Sequence, residues 1–297
     1  MRTLLSVGSN GAVRTAVRLA AVLAWGLGGG APGCDAGPAD VAPELRRDAS
    51  EPGDGSRDAP SSDLADDALG RCPSGMVLIP KGAGVAGDFC IDRYEAATAT
   101  LAPDGSLKPH PFDQPVDGLT VWAVVPAVAA GEKPQAYISS VQARAACEKS
   151  GKRLCSAPQW LHACRGALDT VYPYGNTYQK GFCNEGRATN PVNDCFGSGS
   201  GVFTSAHLNS PCCVAQPNTV AVGGTFARCQ SSYGVFDLHG NLHEWVDETT
   251  ASGHGVFRGG FFVDAKINGA GCTYRTTAHL PSYHDYSNGF RCCADAK

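Results

Sequence analysis

The apolar positions along this chain fall into three regimes. The first is one apolar run at residues 19–27, preceded by Arg2, Arg14 and Arg18 with no acidic residue, and followed by a glycine stretch ending in Ala31-Pro32-Gly33-Cys34. A run this short with those flanks predicts an export signal over residues 1–34 rather than a membrane span. Cys34, with a small residue directly before it, stands where a lipoprotein signal ends, so it is the candidate lipidation site and a lipid anchor the expected route to a membrane. The second regime, residues 35–70, has almost no large apolar side chain. It cannot bury enough surface to offset its ordering entropy and is predicted to be a disordered tether. The third, residues 71–297, has short apolar runs separated by turn formers, and its length suits one substantial domain or two small ones.

Within the domain the opening runs, residues 76–80 (MVLIP) and 89–95 (FCIDRYE), read as two short strands around a glycine-rich turn. Residues 100–135 are rich in proline and glycine and are expected to be irregular. Ser140 is placed to cap a helix running to about Lys149, with Gly151 beyond its end. A second helix is better marked. Ser156 and Gln159 form a capping box, Pro158 sits in the first turn, and Gly166 follows the last residues. Trp160, Leu161 and Cys164 share one face of it. After Gly175 loops are expected to dominate.

Charge and cysteine content sharpen this picture. Residues 35–70 hold ten acidic and three basic side chains, whereas residues 71–297 hold 18 of each. The acidic balance therefore belongs to the tether, and the formally neutral domain offers no clustered basic excess for nucleic acid. Thirteen cysteines lie from Cys72 to Cys293. In an exported chain this density predicts a disulfide framework, and the absence of any CxxC pair argues against zinc. An odd count leaves at least one thiol over unless Cys34 joins the framework. The adjacent pairs Cys212-Cys213 and Cys292-Cys293 do not bridge internally, so each member is expected to find its own partner.

Three late segments, GVFDLHGNLHEWV from Gly234, FRGGFF from Phe257 and NGFRCC from Asn288, resemble the closing half of the formylglycine-generating enzyme (sulfatase-modifying factor) family. The usual forms there are G-L/Y-x-D-M-x-G-N-V-x-E-W, R-G-G-S-W/F and G-F-R-C. The opening runs, CEKSGKRLCSAPQWLHACRG from Cys147 and YPYGN from Tyr172 are similar to further family segments, so the resemblance spans nearly all of 76–293. It implies an irregular, loop-rich α+β fold of C-type-lectin-like kind, stabilised by disulfides.

The resemblance also implies specific chemistry. It pairs Cys147 with Cys292, and gives Cys164 a partner about twenty residues before G-F-R-C, where Cys272 is the available cysteine. The family's oxidases bind Cu(I) between two thiolates after R-G-G-S, a soft, two-coordinate site open to a substrate thiol and O₂. Here the first ligand position falls near Val263 or Asp264 and carries no sulfur. Cys272 stands either for the second copper ligand or for the structural partner of Cys164. Calcium is implied at GNLHEW, through Asn241, the Leu242 carbonyl and Glu244, with Asn184 and Asp194 as candidates for a second ion. His239 and His243 are spaced as ligands only on a helix, which Gly240-Asn241 interrupts, so both are read as partly exposed loop histidines. Arg258 and Arg291 are read as buried struts. The expectation is an exported binding or accessory module for a protein or glycan ligand, with a degenerate copper site. The alternatives are a working copper oxidase acting on a protein cysteine and a non-haem-iron enzyme of the same family, for which no two-His, one-carboxylate set stands out.

Overall fold

A computed structural model describes residues 70–297; the expected export signal, Cys34 and the acidic tether lie outside them. The chain runs through β1 (Met76–Ile79), β2 (Phe89–Asp92), β3 (Ala97–Leu101), β4 (Leu107–Pro109), β5 (Val121–Val124), α1 (Ser140–Lys149), β6 (Arg153–Leu154) and α2 (Ala157–Arg165). Short helices α3 (Pro191–Phe196), α4 (Ser205–Leu208) and α5 (Cys212–Ala215) sit in the long middle loops. The C-terminal part carries β7 (His243–Thr249), β8 (Gly255–Arg258), β9 (Arg275–Thr276), β10 (Asn288–Phe290) and β11 (Cys292–Asp295). This is the expected irregular α+β architecture: two short helices of real length, small sheets and much loop.

The strands form three sheets, ordered β1-β2-β11-β6, β10-β7-β8-β9 and β4-β3-β5. The first joins the two ends of the domain, since β11 lies antiparallel between β2 and β6. The second contains a parallel pair, β10 with β7, which aligns Gly289 with Glu244. The third corrects the expectation of an irregular 100–135 region. β3 reads Ala-Thr-Ala-Thr-Leu and pairs on both edges, with Thr98 opposite Ala123 and Ala99 opposite Pro109. Its partners are short and punctuated by proline, so the pairing comes from contacts distant in sequence, which no local periodicity announces.

Both expected helices are present. In α2, Ser156 and Gln159 form the capping box and bury Trp160, Ala163 and Cys164. In α1 the cap is Ser139 rather than Ser140. The Ser139 hydroxyl accepts from the Gln142 N–H at 3.3 Å, and the Gln142 side chain accepts from the Ser139 N–H at 2.9 Å. Trp160 anchors one apolar cluster with Ile79, Phe89, Leu238 and Val256. Trp245 anchors a second with Ile138, Phe257 and Phe290, and its indole N–H donates to the Ile138 carbonyl at 2.9 Å. Among the described residues no helix is long and apolar enough to cross a membrane.

Six disulfides link Cys72–Cys90, Cys147–Cys292, Cys155–Cys293, Cys164–Cys272, Cys183–Cys229 and Cys195–Cys212, and Cys213 is a free, buried thiol among the described residues. Successive side chains on a strand point to opposite faces, so adjacent Cys292 and Cys293 on β11 reach different partners, one on α1 and one before α2. These two bridges run nearly in parallel, and with one intact the other closes only a loop of roughly ten residues, a loss of about 2.5 kcal/mol on chain-entropy grounds. With the Cys164–Cys272 bridge still in place, removing both frees a loop of roughly thirty residues, for about 6 kcal/mol in total. The Cys147→Ala/Cys292→Ala and Cys155→Ala/Cys293→Ala variants are therefore expected to lose less stability, summed, than the quadruple variant loses in urea unfolding.

Candidate functional site

The turn entering β7 is where the sequence placed its calcium ligands. Gly240 has φ +81° and Asn241 φ +55°, and a Cβ at Gly240 would overlap the Asn184 carbonyl. That close approach lets the Asn241 N–H donate to the same carbonyl at 2.8 Å. The Asn241 side chain and the Leu242 N–H are already engaged. The Asn241 side-chain oxygen accepts from Asn184 Nδ2 and from the Ala221 N–H, both at 2.8 Å, and its amide donates to Glu95. The Leu242 N–H donates to the other Glu95 oxygen at 2.9 Å.

Glu244 is equally committed. Its carboxylate takes Arg291 Nε at 2.6 Å, Arg291 Nη2 at 2.7 Å and the Trp160 indole N–H at 2.9 Å. Glu244 and Arg291 are fully buried. These donors do not fit a calcium ion: the Glu244 charge is balanced by a guanidinium and the Asn241 oxygen holds two N–H groups. Asp194 pairs with Arg187 at 2.6 Å and with Thr189 at 2.9 Å, while Asn184 faces Asn241 and the Thr219 carbonyl, so the second candidate pair is not brought together either.

Around the ion pair lie two more buried carboxylates. Burial and the neighbouring Glu244 charge hold Glu95 well above the usual carboxylate range, and burial pushes Asp237 up to about 7. Burial works against the Arg291 cation, but Glu244 outweighs it and raises its pKa. One guanidinium in a low-dielectric core balances one carboxylate, and burial favours the neutral form of the others. Glu95 was visible only as part of the opening motif, FCIDRYE over residues 89–95.

The loop after Gly259-Gly260 is where the copper ligands would stand. Val263 brings no donor, and Asp264 caps its own turn by accepting from the Lys266 and Ile267 N–H groups at 3.0 and 3.1 Å. Tyr274 donates to the other Asp264 oxygen at 3.1 Å and its hydroxyl lies 3.2 Å from His243 Nε2. His243 Nδ1 lies 3.1 Å from the Ser287 hydroxyl, with the ring between Phe257 and Phe261. Neither histidine is an exposed loop residue as expected. His239 and His243 are buried, and burial lowers their pKa values to about 4 and about 3. His239 packs edge-on against Tyr172, with no hydrogen-bond partner on either ring nitrogen. Arg291 is the strut that was expected; Arg258 is largely buried as well, 3.9 Å from Glu248.

The family model described as Sulfatase-modifying factor enzyme 1-like domain matches residues 123–296. The chain belongs to that family. The inactive C-alpha-formylglycine-generating enzyme 2 of Bos taurus is 30% identical over 172 residues, covering 56% of this chain and 51% of that protein. The formylglycine-generating enzyme of Mus musculus is 29% identical over 186 residues, covering 54% and 44%. The chain spans about half the length of these curated relatives. Among solved structures, Treponema denticola variable protein 1 is similar at 16% identity over 75% of this chain and 100% of that chain, with a TM-score of 0.43.

For a member of the sulfatase-modifying-factor family, the fate of Cys272 is decisive. It is bonded to Cys164, not held as a thiolate, and both cysteines are fully buried. The free thiol of Cys213 lies elsewhere, donating to the His207 carbonyl, with its pKa pushed up to about 11 by burial. The described residues therefore do not fit a two-thiolate Cu(I) site.

Two predictions follow from the buried charge cluster. Glu244→Gln strands the Arg291 cation and is expected to cost about 3–5 kcal/mol in urea unfolding. Asp237 has a folded pKa near 7 against an ordinary value near 4, so its stabilising share is complete below about pH 4 and fades as pH rises through 7. Relative to Asp237→Asn, the wild-type urea midpoint is expected to fall between pH 4 and pH 7; an unchanged difference would sink the assignment.

Proposed function

We propose that this chain is a non-oxidase member of the sulfatase-modifying-factor family, an exported binding or accessory module whose ligand is a protein or a glycan. The observation that carries the reading is the Cys164–Cys272 bridge, which commits the one family-pattern ligand cysteine to a structural role. The single free thiol among the described residues, Cys213, is buried with its pKa pushed up to about 11, and does not provide the paired soft donors Cu(I) requires. The printed name of the Bos taurus relative, an inactive formylglycine-generating enzyme, supports the same direction. Six disulfides in one domain support residence in an oxidising compartment, in keeping with an export signal and a lipid anchor at Cys34.

The test uses the exported full-length protein purified without reductant. Alkylation and peptide mass spectrometry are expected to return a Cys164–Cys272 cross-linked peptide. Titration with Cu(I) in acetonitrile, against a competing chelator, is expected to show no tight one-to-one binding. An alkylated Cys272 together with stoichiometric, chelator-resistant Cu(I) would restore the oxidase reading.

A further inference from the structure

Apart from the Glu244–Arg291 pair, the domain holds a second guanidinium withdrawn from water, and this one lacks its partners. Arg258 ends β8, is 9% exposed, and its side chain makes no hydrogen bond among the described residues. Its Nε is buried with no acceptor. Its one ion-pair partner among the described residues is Glu248, 3.9 Å from Nη2 and so beyond hydrogen-bond range. Glu244 lies opposite Arg258 in the β7–β8 register, but its carboxylate is taken by Arg291 and Trp160. Burying a guanidinium removes hydration that only hydrogen bonds and an opposite charge replace.

Strand pairing places another cation beside it. β8 and β9 run antiparallel with Arg258 directly opposite Arg275. Opposed residues share a face of the sheet, an arrangement that like charges disfavour. Glu248 comes from β7 where the register against β8 shifts, between Val246 and Thr249. An irregularity of that kind re-aims a side chain. Here it brings the carboxylate to both arginines: Arg275 Nη2 donates to Glu248 Oε1 at 2.6 Å, and Oε2 is the oxygen nearest Arg258. Two cations therefore share one anion. Burial lowers the Arg258 pKa, Glu248 raises it and Arg275 lowers it again, and the net direction is down.

The imbalance specifies what the cluster would take. It has one positive charge in surplus, and the Glu248 and Arg275 side chains are partly exposed, so it opens to solvent. Each guanidinium is a planar fork able to donate to two oxygens at once. A carboxylate has only two oxygens, which one fork fills. A tetrahedral oxyanion has more, and accepts from two forks on different sides.

We propose that Arg258 and Arg275 form a binding site for a tetrahedral oxyanion, a phosphate or a phosphoryl group, with Glu248 as the resident carboxylate that it displaces. The site does not depend on the non-oxidase reading. The test is calorimetric titration of the exported full-length protein with inorganic phosphate at ionic strength held constant with sodium chloride. Saturable one-to-one binding is expected. Arg275→Ala, at a partly exposed side chain, is expected to weaken it at least about tenfold, the worth of a hydrogen bond to a charged group. Glu248→Gln removes the competing charge and is expected to tighten binding, a gain that a merely structural Glu248 would not give. Lys108→Ala, an equal loss of charge on the exposed strand β4 of another sheet, is expected to bind as wild type. Melting temperatures establish that each variant is folded. The proposal is overturned by an absence of saturable binding, by undiminished affinity in Arg275→Ala, by an equal loss in Lys108→Ala, or by a failure of Glu248→Gln to tighten. Phenyl phosphate separates the sources of the ion. Affinity at least equal to that of inorganic phosphate assigns a phosphoryl group carried on a larger molecule, and its rejection assigns the free ion; both uphold the oxyanion site.

Discussion

The Glu244–Arg291 ion pair is the contact on which most of this structure hangs. Arg291 sits just before β11 and reaches the carbonyls of Asp92 at 3.1 Å and Phe236 at 2.9 Å, while Glu244 on β7 also receives the α2 indole of Trp160. One pair therefore joins the first strands, the turn before β7, the second helix and the chain end. Taking both charges out of water is expensive, and only the full set of hydrogen bonds compensates for it. Nearby, Asp92 repeats the device on a smaller scale, holding Lys152 at 2.7 Å and the Cys292 N–H at 2.8 Å. Loops that lack long regular elements are thus referred to a few charged anchors.

The disulfides work on the same loops by a different physics. They remove freedom from the unfolded chain, and the two on adjacent cysteines of β11 fasten the C-terminus to α1 and to the segment before α2. A sulfur in a disulfide is no longer a thiolate ligand, so the gain in stability at Cys164–Cys272 comes at the expense of copper chemistry. The loop around it is settled instead by neutral and hydrogen-bonded groups: Asp264 capping its turn, Tyr274 bridging to His243, and His243 kept uncharged by burial.

Much of the frame was legible. The capping box of α2, the two opening strands, the loop-rich middle and the separate destinations of Cys292 and Cys293 all follow from local chemistry or alternation. The Cys147–Cys292 pairing followed from family resemblance. The failures have a common cause. Asn241 and Glu244 stood out as a special turn, but the donors that meet their oxygens lie far away in sequence, Arg291 47 residues on and Ala221 20 residues back, and no local pattern points to them. The histidines of the same turn were placed on the surface because a glycine-containing loop usually lies there. The β3 sheet was missed because its pairing partners carry no periodic signal of their own.

By itself, then, the sequence determined the family, the α+β class, the capped helices and the supply of cysteines, all properties that residue type and spacing encode locally. Tertiary structure alone decided which cysteine met Cys272, which cation met Glu244, and which histidines were buried. Those are questions of which distant groups are forced together when water is excluded, and a buried donor or charge takes whichever partner the packing presents.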